Sequence, residues 1–323
     1  MRAIVVSRTG GPEVLELVQV ARPEPGPGEL LVRVAATGVN FIEIYHRTGL
    51  YPQKLPFTPG SELAGRVEMV GAGINDVAVG DRVATAAAIG AYAEYAIVPA
   101  ARAVSLPDGV DDRTAAAVML QGMTAHYLAT TTKPLQPGMT CVVHAAAGGL
   151  GLLLIQIAKL RGARVIGTVS TEEKAVLARA LGADEIILYD HEEVAPAVKR
   201  LTDGRGADVV YDSVGKATFD QSLLSVAPRG MLVSIGQSSG PAPPIDPLAL
   251  SRGGSLFLTR PTLAHYTATR AELLQRAGDL FAWIRDKQLQ VRVGAAFPLT
   301  RAAEAHRALE GRKTTGKVLL THA

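Results

Sequence analysis

The middle third of the chain alternates short apolar runs with helical stretches, and this alternation constrains the fold more than any other feature. The runs predict strands at residues 140–144, 164–169, 185–188, 208–211 and 231–235, with helices between them at about 149–161, 172–181, 192–201 and 218–226. They lack the period-2 alternation of half-exposed strands, as expected when both faces of a sheet are covered. The sequence therefore predicts a right-handed parallel α/β sheet of the dinucleotide-binding type.

The segments on either side of this region have a different pattern. In the first third, short β-branched runs at 15–20, 30–35 and 92–98 lie between glycine and proline clusters, which predicts β-structure. The other elements expected are two long helices, a sixth strand and a β–α–β tail, at residues 112 to about 131, 269–287, 255–259 and 287–321. The chain is thus predicted to combine a β-rich part with an α/β part.

Length and composition limit the function classes. The chain has 323 residues, which predicts about two domains and a core that needs no disulfide or metal for stability. A single cysteine, Cys141, excludes an internal disulfide and a cysteine-rich zinc site. The formal net charge of +3 is too small to predict a nucleic-acid-binding surface.

No targeting or membrane segment is expected. The apolar stretch at the start of the chain is too short for a signal peptide. The most apolar region, residues 141–158, is interrupted by His144, by glycines and by Gln156, whereas a transmembrane helix needs about 20 apolar residues. The cytoplasm is therefore the predicted location.

A glycine-rich segment, HAAAGGLG at residues 144–151, lies between the first strand of the alternating region and its helix. It follows the pattern G-x-G-x-x-G with Ala146 in place of the first glycine. Gly148 and Gly149 would let the backbone approach a pyrophosphate, and Gly151 would let the helix pack close to the sheet. The context predicts a phosphate-binding loop; a glycine-rich packing turn is the alternative.

The end of the second strand bears on the choice of cofactor. An NAD site places a carboxylate there, about 20 residues after the glycine loop, but residues 168–171 read TVST. Glu172 and Glu173 fit the first turn of the next helix better. Lys174 offers a point charge to a 2′-phosphate, although a solvated helix lysine is an equally good interpretation from these residues alone. Together these features favour NADPH.

The sequence contains no motif for metal or nucleophilic catalysis. It has no cysteine pair, no H-x-x-x-H or H-E-x-x-H and no G-x-S-x-G. Cys141 falls in a predicted buried strand and is expected to be an inert thiol. The chemistry is therefore expected to belong to the cofactor, as hydride transfer, with the protein supplying orientation.

Ordered motifs along nearly the whole chain carry a family resemblance. They are GGPEVL at 10–15, GVNFIEIY at 38–45, GLYP at 49–52, PGSE at 59–62, GDRV at 80–83, HAAAGGLG at 144–151, YDSVG at 211–215 and GQSSG at 236–240. With them the chain resembles the zinc-independent quinone oxidoreductases of the medium-chain dehydrogenase/reductase superfamily, close to bacterial NADPH:quinone reductases and zeta-crystallin. In zinc-dependent relatives a catalytic cysteine stands at the place of Asn40 and a histidine at that of Ser61, so the resemblance implies a site without zinc. Glu62 remains there as a lone acid.

The resemblance implies a discontinuous architecture. A GroES-like, β-rich catalytic domain would comprise residues 1–110 and 287–323, and a doubly wound Rossmann domain of residues 111–286 would be inserted into it. Ligands would lie in the cleft between the two domains. The family is commonly dimeric, and the apolar strand at 255–259 is the expected pairing edge of a homodimer.

The resemblance also implies roles for individual residues. Asn40 and Tyr45 would be the catalytic residues, lining the site beside the nicotinamide and the substrate, and one of them would hydrogen-bond the substrate carbonyl. The remaining cofactor contacts would be Thr124 on a helix, the pyrophosphate loop Gly148, Gly149, Leu150 and Gly151, the 2′-phosphate group Ser170, Lys174, Tyr189 and Arg312, and the strand-end residues Ser213, Gly236, Ser238 and Ser239. Arg312 belongs to the run 311–317, which by itself is typical of a solvated basic loop.

The expected activity is the reduction of quinones by NADPH, by one or two electrons. An alternative within the same enzyme class is the reduction of activated alkenes such as enones and enals. A third interpretation, an RNA-binding or structural protein like zeta-crystallin, has little support, because the basic residues are scattered and form no Lys/Arg-rich run. The expected partners are therefore a small-molecule quinone and a second copy of the chain, with no nucleic acid and no membrane insertion.

Overall fold

The computed structural model describes residues 1–322, and the chain divides into two compact units. The first unit comprises residues 1–123 together with the segment from Thr267 onward, and the second unit comprises Thr124–Tyr266. The first unit is thus discontinuous in sequence.

The unit boundaries, 123/124 and 266/267, differ from the predicted domain limits, 110/111 and 286/287, because most of the helix at the first junction and all of the helix at the second belong to the first unit. The backbone N–H of Leu120 donates to Glu62 at 2.7 Å, which ties the first helix to the first unit. The guanidinium of Arg270 donates to the carbonyl of Ala101 at 3.2 Å and ties the second. Tertiary hydrogen bonds, which no local pattern reveals, set these limits.

The strands and helices are numbered in chain order. The strands are β1 (Arg2–Val5), β2 (Glu16–Gln19), β3 (Glu29–Val39), β4 (Glu62–Val70), β5 (Arg82–Thr85), β6 (Tyr95–Pro99), β7 (Val104–Ser105), β8 (Thr140–Val143), β9 (Arg164–Val169), β10 (Glu185–Leu188), β11 (Ala207–Asp212), β12 (Val226–Ser234), β13 (Phe257–Thr259), β14 (Val293–Pro298) and β15 (Lys317–Thr321). The α-helices are α1 (Phe41–Thr48), α2 (Asp112–Tyr127), α3 (Gly149–Leu160), α4 (Glu172–Ala180), α5 (Val194–Leu201), α6 (Phe219–Ser225), α7 (Pro247–Arg252), α8 (Leu263–Tyr266), α9 (Arg270–Arg285) and α10 (Ala302–Glu310). A π-helical turn, Leu128–Thr132, extends α2.

The first unit is built on a largely antiparallel sheet with the strand order β14-β15-β3-β4-β5-β7, and β6 also pairs with β3. Its apolar side chains form a core that includes Leu30, Leu63 and Val83. Strand β3 lies between β15 and β4, with Val39 opposite Val318 and Gly38 opposite Glu62. The start of β15 and the start of β4 therefore flank the end of β3, where α1 begins.

A buried ion pair fastens α1 to α10 within this unit. The Arg47 side chain is 1% exposed and makes two hydrogen bonds to the carboxylate of Glu310, at 2.6 and 3.1 Å. It also lies 3.1 Å from Nδ1 of His306, whose Nε2 is 3.0 Å from the hydroxyl of Tyr92. Burial, with a further contribution from the Arg47 charge, lowers the pKa of His306 to about 3, so this imidazole is neutral. The network fixes the orientation of α1, the helix that carries Tyr45.

The second unit contains a parallel sheet with the strand order β10-β9-β8-β11-β12-β13. Counted from β8, this is the order 3-2-1-4-5-6 of a doubly wound dinucleotide-binding fold. The predicted fold class is confirmed, and β9 and β10 have the predicted limits. The strand order reverses between β8 and β11, and open α/β sheets bind ligands beyond the carboxyl ends of the strands at this point.

Strands β8, β9 and β11 of the second unit are buried on both faces, as their continuous apolar pattern predicts. Cys141 in β8 has no exposed surface, and burial raises the pKa of its thiol to about 12. The thiolate is therefore inaccessible at neutral pH, and Cys141 is a packing residue.

Candidate active site and cofactor site

A buried polar cluster lies in the first unit where β3, β4 and β15 meet. Nζ of Lys317 donates to Oδ1 of Asn40 and to Oε2 of Glu62, at 2.6 Å each. Nδ2 of Asn40 donates to the same carboxylate at 2.9 Å. These side chains are at most 3% exposed. Because an unpaired charge is costly away from water, the ammonium and the carboxylate hold each other in place.

Gln121 on α2 completes the surroundings of the Asn40 amide. Its Nε2 donates to Oδ1 of Asn40 at 3.2 Å. Within residues 1–322, the buried Oε1 of Gln121 finds no hydrogen-bond donor. Both ends of the Asn40 amide are therefore engaged, and a hydrogen bond from Asn40 to a substrate would displace one of its present partners.

A second carboxylate, Glu43, lies in the first turn of α1 beside this cluster. The backbone N–H of Asn40 donates to its Oε2 at 2.7 Å, and the hydroxyl of Ser61 donates to its Oε1 at 3.3 Å. Burial raises the pKa of Glu43 to about 7, although the positive charge of Lys317 and the hydrogen bond from Asn40 act in the opposite direction. Glu43 is therefore a buried carboxyl group that titrates near neutral pH.

Tyr45 lies on α1 in a group of aromatic rings. The ring of Tyr51 meets it edge-on with centroids 5.2 Å apart, and the ring of Phe41 is tilted against it at 6.2 Å. Tyr45 is 9% exposed, while Phe41 and Tyr51 are half-buried. A group of this kind offers flat, apolar faces to an aromatic or quinonoid ring.

In the second unit the glycine segment forms the turn between β8 and α3. Ala145 has φ of +50°, and the N–H of Gly148 donates to its carbonyl at 2.9 Å. A Cβ on Gly151 would lie 2.5 Å from that carbonyl oxygen, so only glycine fits there. Because the residue preceding α3 is also a glycine, Gly148, no side chain covers the first-turn amides of the helix. This leaves them directed at an anion, together with the positive end of the helix dipole.

Three of the four residues predicted to hold the 2′-phosphate, Ser170, Lys174 and Tyr189, lie at the carboxyl edge of β9 and β10. Nζ of Lys174 donates to the hydroxyl of Ser170 at 3.1 Å. Tyr189 follows β10, and its N–H donates to the carbonyl of Val169 at 3.2 Å. Glu172 lies in the first turn of α4 and pairs with Arg179, as expected for a helix N-terminus rather than a ribose site. The strand tip therefore carries a cation and hydroxyl groups.

The loops that follow β11 and β12 are joined to each other. The hydroxyl of Ser239 donates to the carbonyl of Val214 at 2.8 Å and accepts from the N–H of Ala217 at 2.9 Å. Gly236 leaves no room for a side chain, because a Cβ would lie 2.5 Å from the carbonyl oxygen of Ser213. Ser239 thus ties the loop that contains Ser213 to the loop that contains Ser238.

The remaining predicted residues are divided between the units. Thr124 is buried on α2 at the start of the second unit, whereas Arg312 lies in the first unit, in the turn after α10, with φ of +54°. Asn40 and Tyr45 also belong to the first unit. The structure therefore brings the pyrophosphate and 2′-phosphate residues together within one unit, apart from Arg312.

Comparison with known proteins gives consistent results for both units. Residues 26–108 match the family model described as the alcohol dehydrogenase GroES-like domain, and residues 149–283 match the one described as zinc-binding dehydrogenase. The quinone oxidoreductase of Pseudomonas aeruginosa is 50% identical over 313 residues, which cover 96% of each chain. The chain belongs to the quinone oxidoreductases of the medium-chain dehydrogenase/reductase superfamily.

Two further relatives provide information about the cofactor and the substrate. A mycobacterial structure in complex with NADPH is 49% identical, with a TM-score of 0.97, and the match covers 99% of this chain and 100% of that one. The 2-haloacrylate reductase of a Burkholderia species is 42% identical over 327 residues, covering 98% of each chain.

The description of the second family model raises the question of zinc. The positions that the family resemblance assigns to the two zinc ligands hold Asn40 and Ser61, and the ammonium of Lys317 lies 2.6 Å from Oδ1 of Asn40 and from Oε2 of Glu62. A fixed cation at that distance repels a second one. No group of three or more His, Cys, Asp or Glu side chains able to bind a metal occurs in the part of the chain that is described. The donor set of this quinone oxidoreductase does not fit zinc.

Sequence reasoning missed several members of this site. Glu43 carries a local signal, since an asparagine followed three residues later by a glutamate is a helix-capping pattern. Lys317 was grouped with a solvated basic run, but it is the first residue of β15 and is 1% exposed. Glu62 is not the lone acid that the sequence indicated, because Lys317 comes to it from 255 residues away.

Replacing Glu43 by glutamine is expected to remove a pH-dependent contribution to stability. The pKa of about 7 lies above the unfolded value of 4.5, so folded protein holds the proton more tightly than unfolded protein. The stabilisation is complete below the unfolded pKa and is lost as the pH rises through 7, by about 1.4 kcal/mol per pH unit. The wild type should therefore lose about 2.5 kcal/mol relative to Glu43→Gln between about pH 5 and pH 8.

Urea unfolding of both proteins across that range measures the difference. The other ionisable groups of the chain are present in both proteins, so their contributions cancel to first order. A difference that stays constant with pH would show that Glu43 has no raised pKa.

Proposed function

We propose that the protein reduces quinones with NADPH by hydride transfer, without zinc. One observation carries the proposal: a turn in which only glycine fits at position 151 stands at the switch point of a 3-2-1-4-5-6 sheet, in a chain 50% identical to a quinone oxidoreductase. The fold alone would fit many activities. The glycine turn and the family membership together select quinone reduction.

The second unit would hold the cofactor. Gly148, Gly149, Leu150 and Gly151 supply backbone amides and space for the pyrophosphate, since Gly151 cannot carry a side chain and no side chain of residues 1–322 caps the N-terminus of α3. Lys174 and Ser170 fit a 2′-phosphate because they join a positive charge to a hydroxyl at a strand tip without a carboxylate. When bound, NADPH supplies a hydride from its nicotinamide ring. Arg312 lies in the other unit, and its role toward the 2′-phosphate stays a prediction from the family resemblance.

The first unit would hold the quinone. Tyr45 and its neighbours Phe41 and Tyr51 offer ring faces, and the Tyr45 hydroxyl is the proposed donor to the quinone carbonyl. Asn40 is proposed to act through the cluster, since its amide is engaged by Lys317, Glu62 and Gln121. The ammonium of Lys317 supplies the fixed positive charge in this cluster.

A second candidate is the reduction of activated alkenes at carbon. It is favoured by the 42% identity with a 2-haloacrylate reductase over 98% of both chains. The hydride donor and its binding residues would be the same, so only the acceptor distinguishes the two activities.

We predict that NADPH oxidation is fast with 1,4-benzoquinone and slow with an enone such as cyclohexenone, when kcat/KM is measured for both under the same conditions. Turnover of the enone alone would replace quinone reduction by the second candidate.

Activity should be unchanged after dialysis against EDTA, because the ammonium of Lys317 takes the place of a metal ion. Loss of activity with EDTA would contradict the zinc-free mechanism.

Lys174→Ala should raise the KM for NADPH roughly tenfold and leave the KM for NADH within about twofold, because only NADPH carries the 2′-phosphate that the ammonium would contact. Lys159→Ala is a matched control, since Lys159 is an exposed lysine of the same unit that pairs with Asp184. It should change neither constant. Equal increases for both cofactors in Lys174→Ala would remove the 2′-phosphate role.

The protein is further proposed to form a homodimer through β13. This strand pairs with β12 on one side, and Phe257 at its start is 56% exposed. An apolar edge strand of this kind can extend its sheet with a second copy. The division into a catalytic domain of residues 1–110 and 287–323 and a cofactor-binding domain of residues 111–286 remains a proposal from the family resemblance, distinct from the two compact units described above. A cytoplasmic location is likewise a proposal. Among residues 1–322, no helix has the length and apolar character needed to cross a bilayer.

Sedimentation velocity at micromolar concentration should show a dimer for the wild type and a monomer for Phe257→Lys, because a charge at the edge opposes strand pairing. Leu224→Lys is the control, since Leu224 on α6 is 62% exposed and lies outside β13. It should remain a dimer. A monomeric wild type, or a dimeric Phe257→Lys, would argue against this interface.

A further inference from the structure

A buried hydrogen-bonded chain crosses the switch point of the second unit. Nδ1 of His144 lies 3.0 Å from the hydroxyl of Thr168, and its Nε2 lies 3.0 Å from the hydroxyl of Ser222. Ser222 in turn donates to Oδ2 of Asp212 at 2.7 Å. All four side chains are at most 3% exposed. The members come from β9, the residue after β8, the end of β11, and α6.

The hydrogen atoms in this chain have a single consistent arrangement. Asp212 only accepts, and its oxygens also receive the hydroxyl of Thr218 and the N–H groups of Val214 and Gly215. Since Ser222 gives its hydrogen to Asp212, its oxygen accepts from Nε2–H of His144. Nδ1 is then a free acceptor for the Thr168 hydroxyl. Burial lowers the pKa of His144, although Asp212 opposes this effect, and a neutral imidazole agrees with the arrangement.

The order of the groups excludes nucleophilic catalysis. In a hydrolase triad the histidine lies between the serine and the carboxylate and takes the serine proton. Here Ser222 lies between Asp212 and His144, donates a hydrogen bond to the carboxylate and has no exposed surface. These hydrogen-bonded side chains therefore position other groups and do not themselves react.

This hydrogen-bonded chain of side chains fixes the position at which the glycine turn begins. His144 is the first residue of that turn, and its N–H donates to the carbonyl of Tyr211 at 3.1 Å. The N–H of Ala146 donates to the carbonyl of Thr168 at 3.1 Å. The carbonyl of Ala145, between them, is the atom against which Gly151 packs. A shift of His144 would therefore move the start of α3 relative to the ends of β9 and β11.

We propose that Thr168, His144, Ser222 and Asp212 are positioning residues that set the glycine turn for the pyrophosphate of the cofactor. The inference rests on the proposed use of NADPH and adds residues that do not themselves touch it. It separates two parts of the cofactor site. The part that binds the pyrophosphate depends on the four hydrogen-bonded side chains. The part that binds the adenosine 2′-phosphate, at Ser170 and Lys174, has its own hydrogen bond and does not depend on them.

The test compares the affinities for NADPH and for adenosine 2′-monophosphate, which lacks the pyrophosphate, by isothermal titration calorimetry. Thr168→Val and Ser222→Ala should weaken NADPH binding about tenfold, because each leaves a buried partner unsatisfied and lets the turn move. Binding of adenosine 2′-monophosphate should be unchanged. Amide hydrogen exchange of residues 145–151 in the ligand-free protein should become faster in both variants.

Two controls separate positioning from general damage to the fold. Thr168→Ser keeps the hydroxyl and should restore NADPH affinity. Ser225→Ala removes a buried hydroxyl from the same helix, but Ser225 bonds only the helix carbonyl of Gln221, so neither ligand should be affected. If Ser222→Ala does not fold, the pair Thr168→Val and Thr168→Ser carries the test.

NADPH affinity of Thr168→Val equal to wild type, an equal loss for both ligands, or a Thr168→Ser variant as weak as Thr168→Val would each overturn the inference. These results leave the proposed function intact. Failure of folded wild-type protein to bind NADPH would instead overturn the proposed function, and the positioning role with it.

Discussion

Carboxylates taken out of water must be matched by donors or lose their charge, and this constraint organises the polar parts of both units. In the first unit Lys317 and Asn40 both bind Glu62, and the neighbouring Glu43, without a cation in direct contact, has its pKa raised to about 7 by burial. In the second unit Asp212 receives hydroxyl and backbone N–H donors. Removing one partner of the buried Lys317–Glu62 ion pair costs about 3–5 kcal/mol, because the other is left buried and uncompensated. The positions of the surrounding strand ends follow from these matches.

The need to match buried carboxylates with donors also accounts for the difference between this site and that of zinc-dependent relatives. Loss of the ligands at positions 40 and 61 would leave Glu43 and Glu62 as buried negative charges with no metal nearby. Lys317 supplies a positive charge through β15, and Asn40 and Ser61 supply hydrogen bonds. The cluster is neutral enough to be buried, and catalysis by hydride transfer then needs orientation from the protein more than a Lewis acid.

Much of the second unit could be predicted because its signals are local. The apolar runs gave the limits of β9 and β10, and the glycine segment gave the turn before α3, since only glycine permits the close approach to Ala145. Lys174 was ambiguous from its neighbours alone. In the structure, Lys174 donates a hydrogen bond to the hydroxyl of Ser170, four residues earlier, at the strand tip. The limits of the units were not predictable, because α2 and α9 are held by hydrogen bonds to distant residues such as Glu62 and Ala101.

The sequence by itself determined the parallel sheet, its order of elements, the glycine turn and the family, because hydrophobic period, turn chemistry and ordered motifs are properties of short segments. Only the tertiary structure decided what Asn40, Lys317, His144 and Ser222 do. Asn40 and Lys317 are 277 residues apart, and His144 and Ser222 are 78 apart. A hydrogen bond forms over about 3 Å and carries no trace in local composition, so such partners become visible only when the strand ends are brought together.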